Sequence, residues 1–308
     1  MLDVSSYNTS QSVNPVFSLV IATLDREEEL KRCLTSLLTE TLHDFEVIVV
    51  DQNADERLEH LLSCFLGRFP LRHLRVAYRN ASRARNEGAR VAVGKWVAFP
   101  DDDCRFMAET MQSVRRLTQA RPLDLLSGRT LDEQGANSMR KWHKSQGAIT
   151  PRNLNRTFTE SAFFVRCDLF LKVNGFDPLL GPGSPYPAAE GIDLVLRLRD
   201  ENPALSALFC PSVRFYHPQK VPPYNKTAAQ RLRLSGRGSG AVAARYWKSR
   251  PFRFILLPLV KSGIAMAILS DERRHCKWEW VKGYCEGFVS YLRRRHSPAW
   301  TQEQACRQ

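Results

Sequence analysis

The sequence predicts an α/β fold: a mostly parallel, Rossmann-like sheet flanked by helices and followed by a basic helical extension. Two observations carry this. Short, wholly apolar runs alternate with stretches of helical periodicity, the pattern of strands joined by crossover helices. Charge is also segregated: residues 226–308 hold 17 Lys and Arg against 5 Asp and Glu, a surplus of 12 in a chain of net charge +13, so residues 1–225 are nearly neutral. With 43% hydrophobic and 25% charged residues among 308, the chain can bury a sizeable core, which excludes a wholly disordered protein.

The elements follow in order. Residues 1–15 are expected to be disordered or extended. VFSLVIAT (16–23) reads as a strand, and Leu30, Cys33, Leu34, Leu37 and Leu38 then recur at helical spacing. FEVIVV (45–50) is a second strand, apolar on both faces, with a helix over 56–66. A weaker strand at 74–77, a helix at 82–93 and the strand WVAF (96–99) complete a first half ending near Cys104. Beyond it, 107–120 reads as helix, 123–127 as strand, 161–165 as strand, 168–173 as a short helix and 192–199 as an amphipathic helix. Residues 207–210 and 213–217 read as two extended segments, whereas 129–158 shows no period. The expected domains are 16–223, divided into 16–104 and 105–223, and a helical region 224–308.

Eight cysteines lie scattered with no C-x-x-C pair, so they read as reduced structural thiols, not a zinc ribbon. The N-terminus has no basic start and no long apolar run, from which a cytoplasmic location is expected.

In an open parallel sheet, ligands bind beyond the carboxyl ends of the strands. The residues there are Thr23 and Asp25, Asp51 and Asn53, and Asp101, Asp102 and Asp103. No glycine-rich phosphate loop follows the first strand, which argues against a dinucleotide fold or a P-loop. Three adjacent carboxylates raise one another's pKa unless a cation sits among them; Mg²⁺ or Mn²⁺ bridging to a diphosphate is one solution and a solvated acidic turn the other.

Three segments, SLVIATLDREEELKRCLTSLLTE, FEVIVVDQNAD and ASRARNEGARVAVGKWVAFPDDDC, together resemble the nucleotide-binding half of glycosyltransferase family 2, with its GT-A fold. The resemblance continues through SAFFVRCDLFLKVNGFD, AEGIDLVLRL and FYHP, covering most of residues 16–218. It implies an inverting transfer of a sugar from a nucleotide donor, a UDP-sugar, to a hydroxyl of a lipid-linked or growing glycan. Thr23, Asp25, Asp51, Asn53, Arg85, Asn86, Asp101 and Asp102 would bind the donor, and Asp103, Asp101 and His217 would hold Mn²⁺ or Mg²⁺. The family's Glu-Asp pair reads here Glu190-Gly191-Ile192-Asp193, so Glu190 or Asp193 would be the catalytic base, Asp193 also fitting a helix cap.

The glycines of RLRLSGRGSGAVAARYWKSR (231–250) invite a weak phosphate-loop reading, with Arg237 or Arg245 on a phosphate. Phe252–Leu269 is the most apolar stretch, but Arg253, Pro258 and Lys261 interrupt it, which argues against a simple transmembrane helix. Flanked by Trp247, Trp278, Trp280, Trp300 and Arg293-Arg294-Arg295, it suits either an anchor on an anionic membrane at the inner face of the cell membrane or a packed helical subdomain. No nucleic-acid partner is expected. The alternatives are a sugar nucleotidyltransferase, against which the acidic loop ATLDREEE argues, and a non-enzymatic basic adaptor, which would need no acidic triplet.

Overall fold

The computed structural model describes residues 3–7, 15–221, 223–250 and 257–295. The expectations for the rest of the N-terminus, for 252–256 with Arg253, and for Trp300 and Cys306 lie outside the described residues. The chain divides into two compact units, Met1–Asp177 with Leu194–Gln219, and Pro178–Asp193 with Lys220–Gln308.

The first unit is built on a ten-stranded sheet. Its strands are β1 (Asp3–Tyr7), β2 (Phe17–Thr23), β3 (Phe45–Asp51), β4 (Leu71–Arg75), β5 (Trp96–Ala98), β6 (Arg105–Phe106), β7 (Leu125–Leu131), β8 (Gly147–Ala148), β9 (Phe163–Arg166) and β10 (Ala207–Tyr216). They lie in the order β1-β4-β3-β2-β5-β9-β7-β10-β6, with β8 beside β10. From β4 to β5 all pairings are parallel, β7 and β10 are parallel, and β9 runs antiparallel between β5 and β7.

Between them run α1 (Glu27–Leu37), α2 (Arg57–Ser63), α3 (Ala81–Val91), α4 (Thr110–Ala120), α5 (Leu154–Thr157) and α6 (Cys167–Lys172). α7 (Glu190–Glu201) begins in the second unit and ends in the first. Every residue of β3 is buried, as its unbroken apolar run requires of a strand covered on both faces. Gly88 of α3 lets that helix lie on the sheet, since a Cβ there would collide with Val20.

Three readings change. The strand expected at 74–77 begins three residues earlier, as β4. The two extended segments near the end of the unit are one strand, β10, whose pairing with β7 shifts register between Phe209 and Arg214; Pro211, without an N–H, sits at that shift. The aperiodic 129–158 holds the end of β7, β8, α5 and a buried Trp142 that donates to the Thr130 and Ser138 carbonyls.

The second unit contains α8 (Lys226–Tyr246), α9 (Leu257–Ile268) and α10 (Asp271–Arg295). The glycines of 231–250 lie inside α8. A Cβ on Gly236 or Gly240 would collide with the carbonyls of Trp280 or Tyr284, and one on Gly283 or Gly287 of α10 with those of Arg233 or Arg237. The glycines therefore permit close packing of two helices, which replaces the phosphate-loop reading. No described helix is long and apolar enough to cross a membrane.

Glu40 sits buried after α1 and accepts from the Met111 N–H at the start of α4. Burial pushes its carboxyl from 4.5 up to about 7 although the Met111 and Thr110 N–H groups pull the other way. The native state therefore holds this proton while the unfolded chain has lost it, and stability falls as pH rises from about 4.5 to about 7. Melting temperatures of Glu40→Gln measured across that window should rise relative to those of the unmodified chain, then stay level above it. A pH-independent difference would contradict the assignment.

Candidate active site

The site in the first unit is assembled where β2, β3 and β5 end. Below it lies an aromatic floor: Phe99 packs against Phe170 and Phe176 with ring centroids 4.7 and 4.9 Å apart. Pro100 follows, and the chain turns through Asp101-Asp102-Asp103, closed by the Cys104 N–H donating to the Asp101 carbonyl at 2.9 Å.

The carboxylates are met by cations from distant segments. Arg26, from the loop after β2, donates to Asp102 at 2.8 Å and Asp103 at 3.0 Å through one nitrogen. Arg85 of α3 donates to Asp101 at 2.6 Å. Thr23 gives its hydroxyl proton to Asp102 at 2.9 Å. Burial raises the Asp102 carboxyl to about 6, against the pull of Arg26 and Thr23 and with the push of its two acidic neighbours.

His217, directly after β10, is buried and faces the turn. Its Nδ1 lies 2.9 Å from the Pro218 carbonyl, which can only accept, so Nδ1 carries a proton. Its Nε2 lies 3.4 Å from Asp103 and 3.6 Å from Asp101. Carboxylate oxygens gathered with a ring nitrogen in this way fit a hard divalent ion, the other ring nitrogen being held by a carbonyl as metal-binding histidines commonly have it. Asp101, Asp103, Cys104 and His217 each offer a donor atom within 4.8 Å of the others. The oxygen and nitrogen donors of this set suit Mn²⁺ or Mg²⁺.

Asp51, fully buried at the end of β3, accepts from the Asn53 N–H at 2.8 Å and the Asn53 amide at 2.7 Å, and faces His73 Nε2 at 3.1 Å. Asn53 in turn accepts from the Asp25 N–H at 2.8 Å. Asp25 is half-exposed, takes a left-handed φ of 57° and meets Arg57 at 3.3 Å. Thr23, Arg85, Asp101, Asp102, Asp103 and His217 therefore form one connected cluster, and Asp25, Asp51 and Asn53 another.

Asn86 goes elsewhere. It donates to the Phe176 carbonyl and accepts from the Phe176 N–H, both at 2.8 Å, tying α3 to the Gly175-Phe176-Asp177 turn. Arg197 of α7 holds the same turn by donating to the Val173 and Gly175 carbonyls. Arg26, His73 and Arg197 are the participants that sequence reasoning missed. Arg26 alone carried a signal, as a single cation in the acidic loop after β2.

Glu190 and Asp193 belong to the second unit, in the first turn of α7. Asp193 lies inside the helix, so it is not the cap; it is fully buried, 3.1 Å from Arg245 and 3.2 Å from the Tyr246 hydroxyl. Glu190 is buried and follows Ala189, whose φ of 68° is left-handed, a conformation that costs an alanine about 1 kcal/mol or more. A Cβ on Gly238 of α8 would collide with the Ala188 carbonyl, so that glycine allows α8 to lie against the loop leading into Glu190.

The family model described as Glycosyl transferase family 2 matches residues 18–177, just over half of the chain. The chain belongs to that family. Among its relatives, a glycosyltransferase of Haemophilus influenzae is 34% identical over 110 residues, 35% of this chain and 36% of the relative. A PGL/p-HBAD biosynthesis glycosyltransferase of Mycobacterium tuberculosis is 31% identical over 119 residues, 37% and 46% of the two chains. The chain thus spans less than half of the length of these relatives.

The fold is similar to that of S. aureus TarS 1-349, solved in complex with UDP-GlcNAc (TM-score 0.57, 15% identity, 90% of this chain and 91% of that one). It is also similar to the mannosyltransferase PcManGT of Pyrobaculum calidifontis, solved with GDP-Man and Mn²⁺ (TM-score 0.63, 14% identity, 91% and 88%). This family member therefore has the GT-A fold, with a helical C-terminal extension.

Asn86→Ala would leave the Phe176 N–H and carbonyl buried without their partner, at a cost of about 2 to 4 kcal/mol for the two bonds. Denaturant titration is expected to show that loss, and Asn86→Asp, which cannot donate, should recover only part of it. A change below about 0.5 kcal/mol would mean the turn holds without this tie.

Proposed function

We propose that the chain transfers a sugar from a nucleotide-diphosphate donor, a UDP-sugar, to a hydroxyl of a lipid-linked or growing glycan, working peripherally at the inner face of the cell membrane. The observation that carries this reading is the gathering of Asp101, Asp103 and the His217 Nε2 beside the strand ends, a donor set matched to a divalent ion that itself binds a diphosphate. The titles of the two structural neighbours, with UDP-GlcNAc in one and GDP-Man with Mn²⁺ in the other, support a nucleotide-sugar donor and a metal.

Asp101, Asp103 and His217 would hold Mn²⁺ or Mg²⁺, which supplies positive charge against the departing diphosphate. Arg26 and Arg85 meet the three carboxylates, and a divalent ion would add the positive charge that helps hold an anion there. Thr23, Arg26 and Arg85 fix the carboxylates, so that little reorganisation is needed on binding. Asp51, with Asn53 and Asp25, would take the base and ribose.

Glu190 is assigned as the base that accepts the acceptor's hydroxyl proton while that oxygen bonds to the anomeric carbon and the carbon–diphosphate oxygen bond breaks. A single displacement of this kind inverts the anomeric centre. Asp193, 3.1 Å from Arg245 and accepting from the Tyr246 hydroxyl, is the second candidate.

Calorimetric titration of UDP and of GDP, with and without Mn²⁺, tests the donor site. UDP should bind only with the metal, and Asp103→Ala should weaken it at least tenfold. Binding of GDP alone would change the donor, and binding of neither would overturn the reading. For the base, Glu190→Gln should lower kcat about a hundredfold or more with little change in donor KM; a normal rate there beside a collapsed Asp193→Asn would move the role to Asp193.

A further inference from the structure

α9 is inverted relative to a water-facing helix. Its solvent side carries Val260, Gly263, Ile264, Ala267 and Ile268, with Lys261 at the edge, while Ser262 on the other side is only 2% exposed. Val260, Ile264 and Ile268, one turn apart from each other, are 50%, 58% and 76% exposed. A surface helix of a water-soluble protein turns its apolar stripe inward, and an outward stripe marks an apolar partner.

The charges around it name that partner. Lys261 lies close enough to Lys277 of α10 that, after burial, it is the second cause lowering the Lys277 ammonium. Arg273 is exposed at the start of α10 and stacks on Tyr224 at 5.0 Å, and Trp278, 48% exposed, lies five residues further along α10. The acidic residues there are few: Asp271 faces Arg274 at 3.5 Å, Glu279 is taken by Lys282 and Arg233, and Glu272 remains exposed. An apolar row edged by lysines and arginines with an exposed tryptophan is complementary to the acyl boundary and phosphate layer of an anionic bilayer. It is too short to span one.

We propose that α9 lies in the surface of an anionic membrane, with Val260, Ile264 and Ile268 inserted below the headgroups and Lys261 and Lys277 on lipid phosphates. This deepens the peripheral placement proposed above and rests on it only for location. A second copy of the chain is the rival occupant, but it would bring the same basic charges against themselves.

Flotation of the purified full chain with vesicles decides the matter, without donor or metal. Phosphatidylcholine vesicles carrying about 30% phosphatidylglycerol should carry the protein up, and phosphatidylcholine alone should bind it several-fold less. The double variant I264D/I268D, altered only at exposed positions and therefore expected to keep its melting temperature, should lose at least tenfold in binding. The double variant K261E/K277E should lose the preference for the anionic lipid. No flotation, equal binding to both vesicles, or flotation untouched by I264D/I268D would overturn the proposal. So would a dimer by light scattering that I264D/I268D turns into a monomer, which would assign the row to a second copy. Because the readout contains no nucleotide, failure here leaves the UDP titration standing, and failure of that titration leaves this result standing.

Discussion

The first unit depends on keeping three consecutive carboxylates at the mouth of an apolar strand. Asp101, Asp102 and Asp103 would repel one another and resist burial, and the phenylalanine floor beneath them offers no polar relief. The fold answers with cations from two different crossovers, Arg26 after β2 and Arg85 on α3. Both crossovers start at the sheet edge where β5 ends, because β2, β3, β4 and β5 all run parallel. The topology and the electrostatics are thus one constraint: without parallel pairing, the loop after β2 and the turn after β5 would lie at opposite ends of the sheet.

Two guanidiniums meet the three carboxylates, and β10 adds the His217 ring, whose Nε2 lies 3.4 Å from Asp103 and 3.6 Å from Asp101. His217 reaches the turn because the strand preceding it crosses the register shift at Pro211 and then resumes pairing with β7 as far as Leu131, whose carbonyl accepts from the His217 N–H at 2.9 Å. A regular strand would carry a different residue to this point. The irregularity is part of the site.

These facts mark what sequence could show. β2 and β3 were legible because a strand covered on both faces must be apolar throughout, and the acidic turn was legible because three carboxylates have no apolar disguise. β10 was not read as one strand, because Pro211 interrupts its pattern while the ladder continues around it. The partner of Arg26 lies 76 residues away, a separation that no local period encodes. Asn86 is assigned to the donor by the family resemblance; its two hydrogen bonds go to the main chain of Phe176, a demand that only the folded turn creates. The glycines of α8 misled in the opposite sense, since the same residue serves a phosphate loop and a close helix contact, and only the carbonyls of α10 decide between them.

The second unit repeats the logic of restricted backbone around a carboxylate. Gly236 and Gly240 let α8 and α10 approach until main chain meets main chain, and Gly238, on the same helix, gives room to the loop of Ala188 and Ala189. Ala189 is held at a positive φ that an alanine adopts at a cost, immediately before Glu190. One turn later, Asp193 is fixed by Arg245 and Tyr246, consecutive residues at the end of the same α8. On that one helical turn, Asp193 meets a guanidinium and a hydroxyl, and Glu190 directly follows a backbone held at positive φ, so the same α8 that packs against the Ala188 loop also supplies the partners of Asp193.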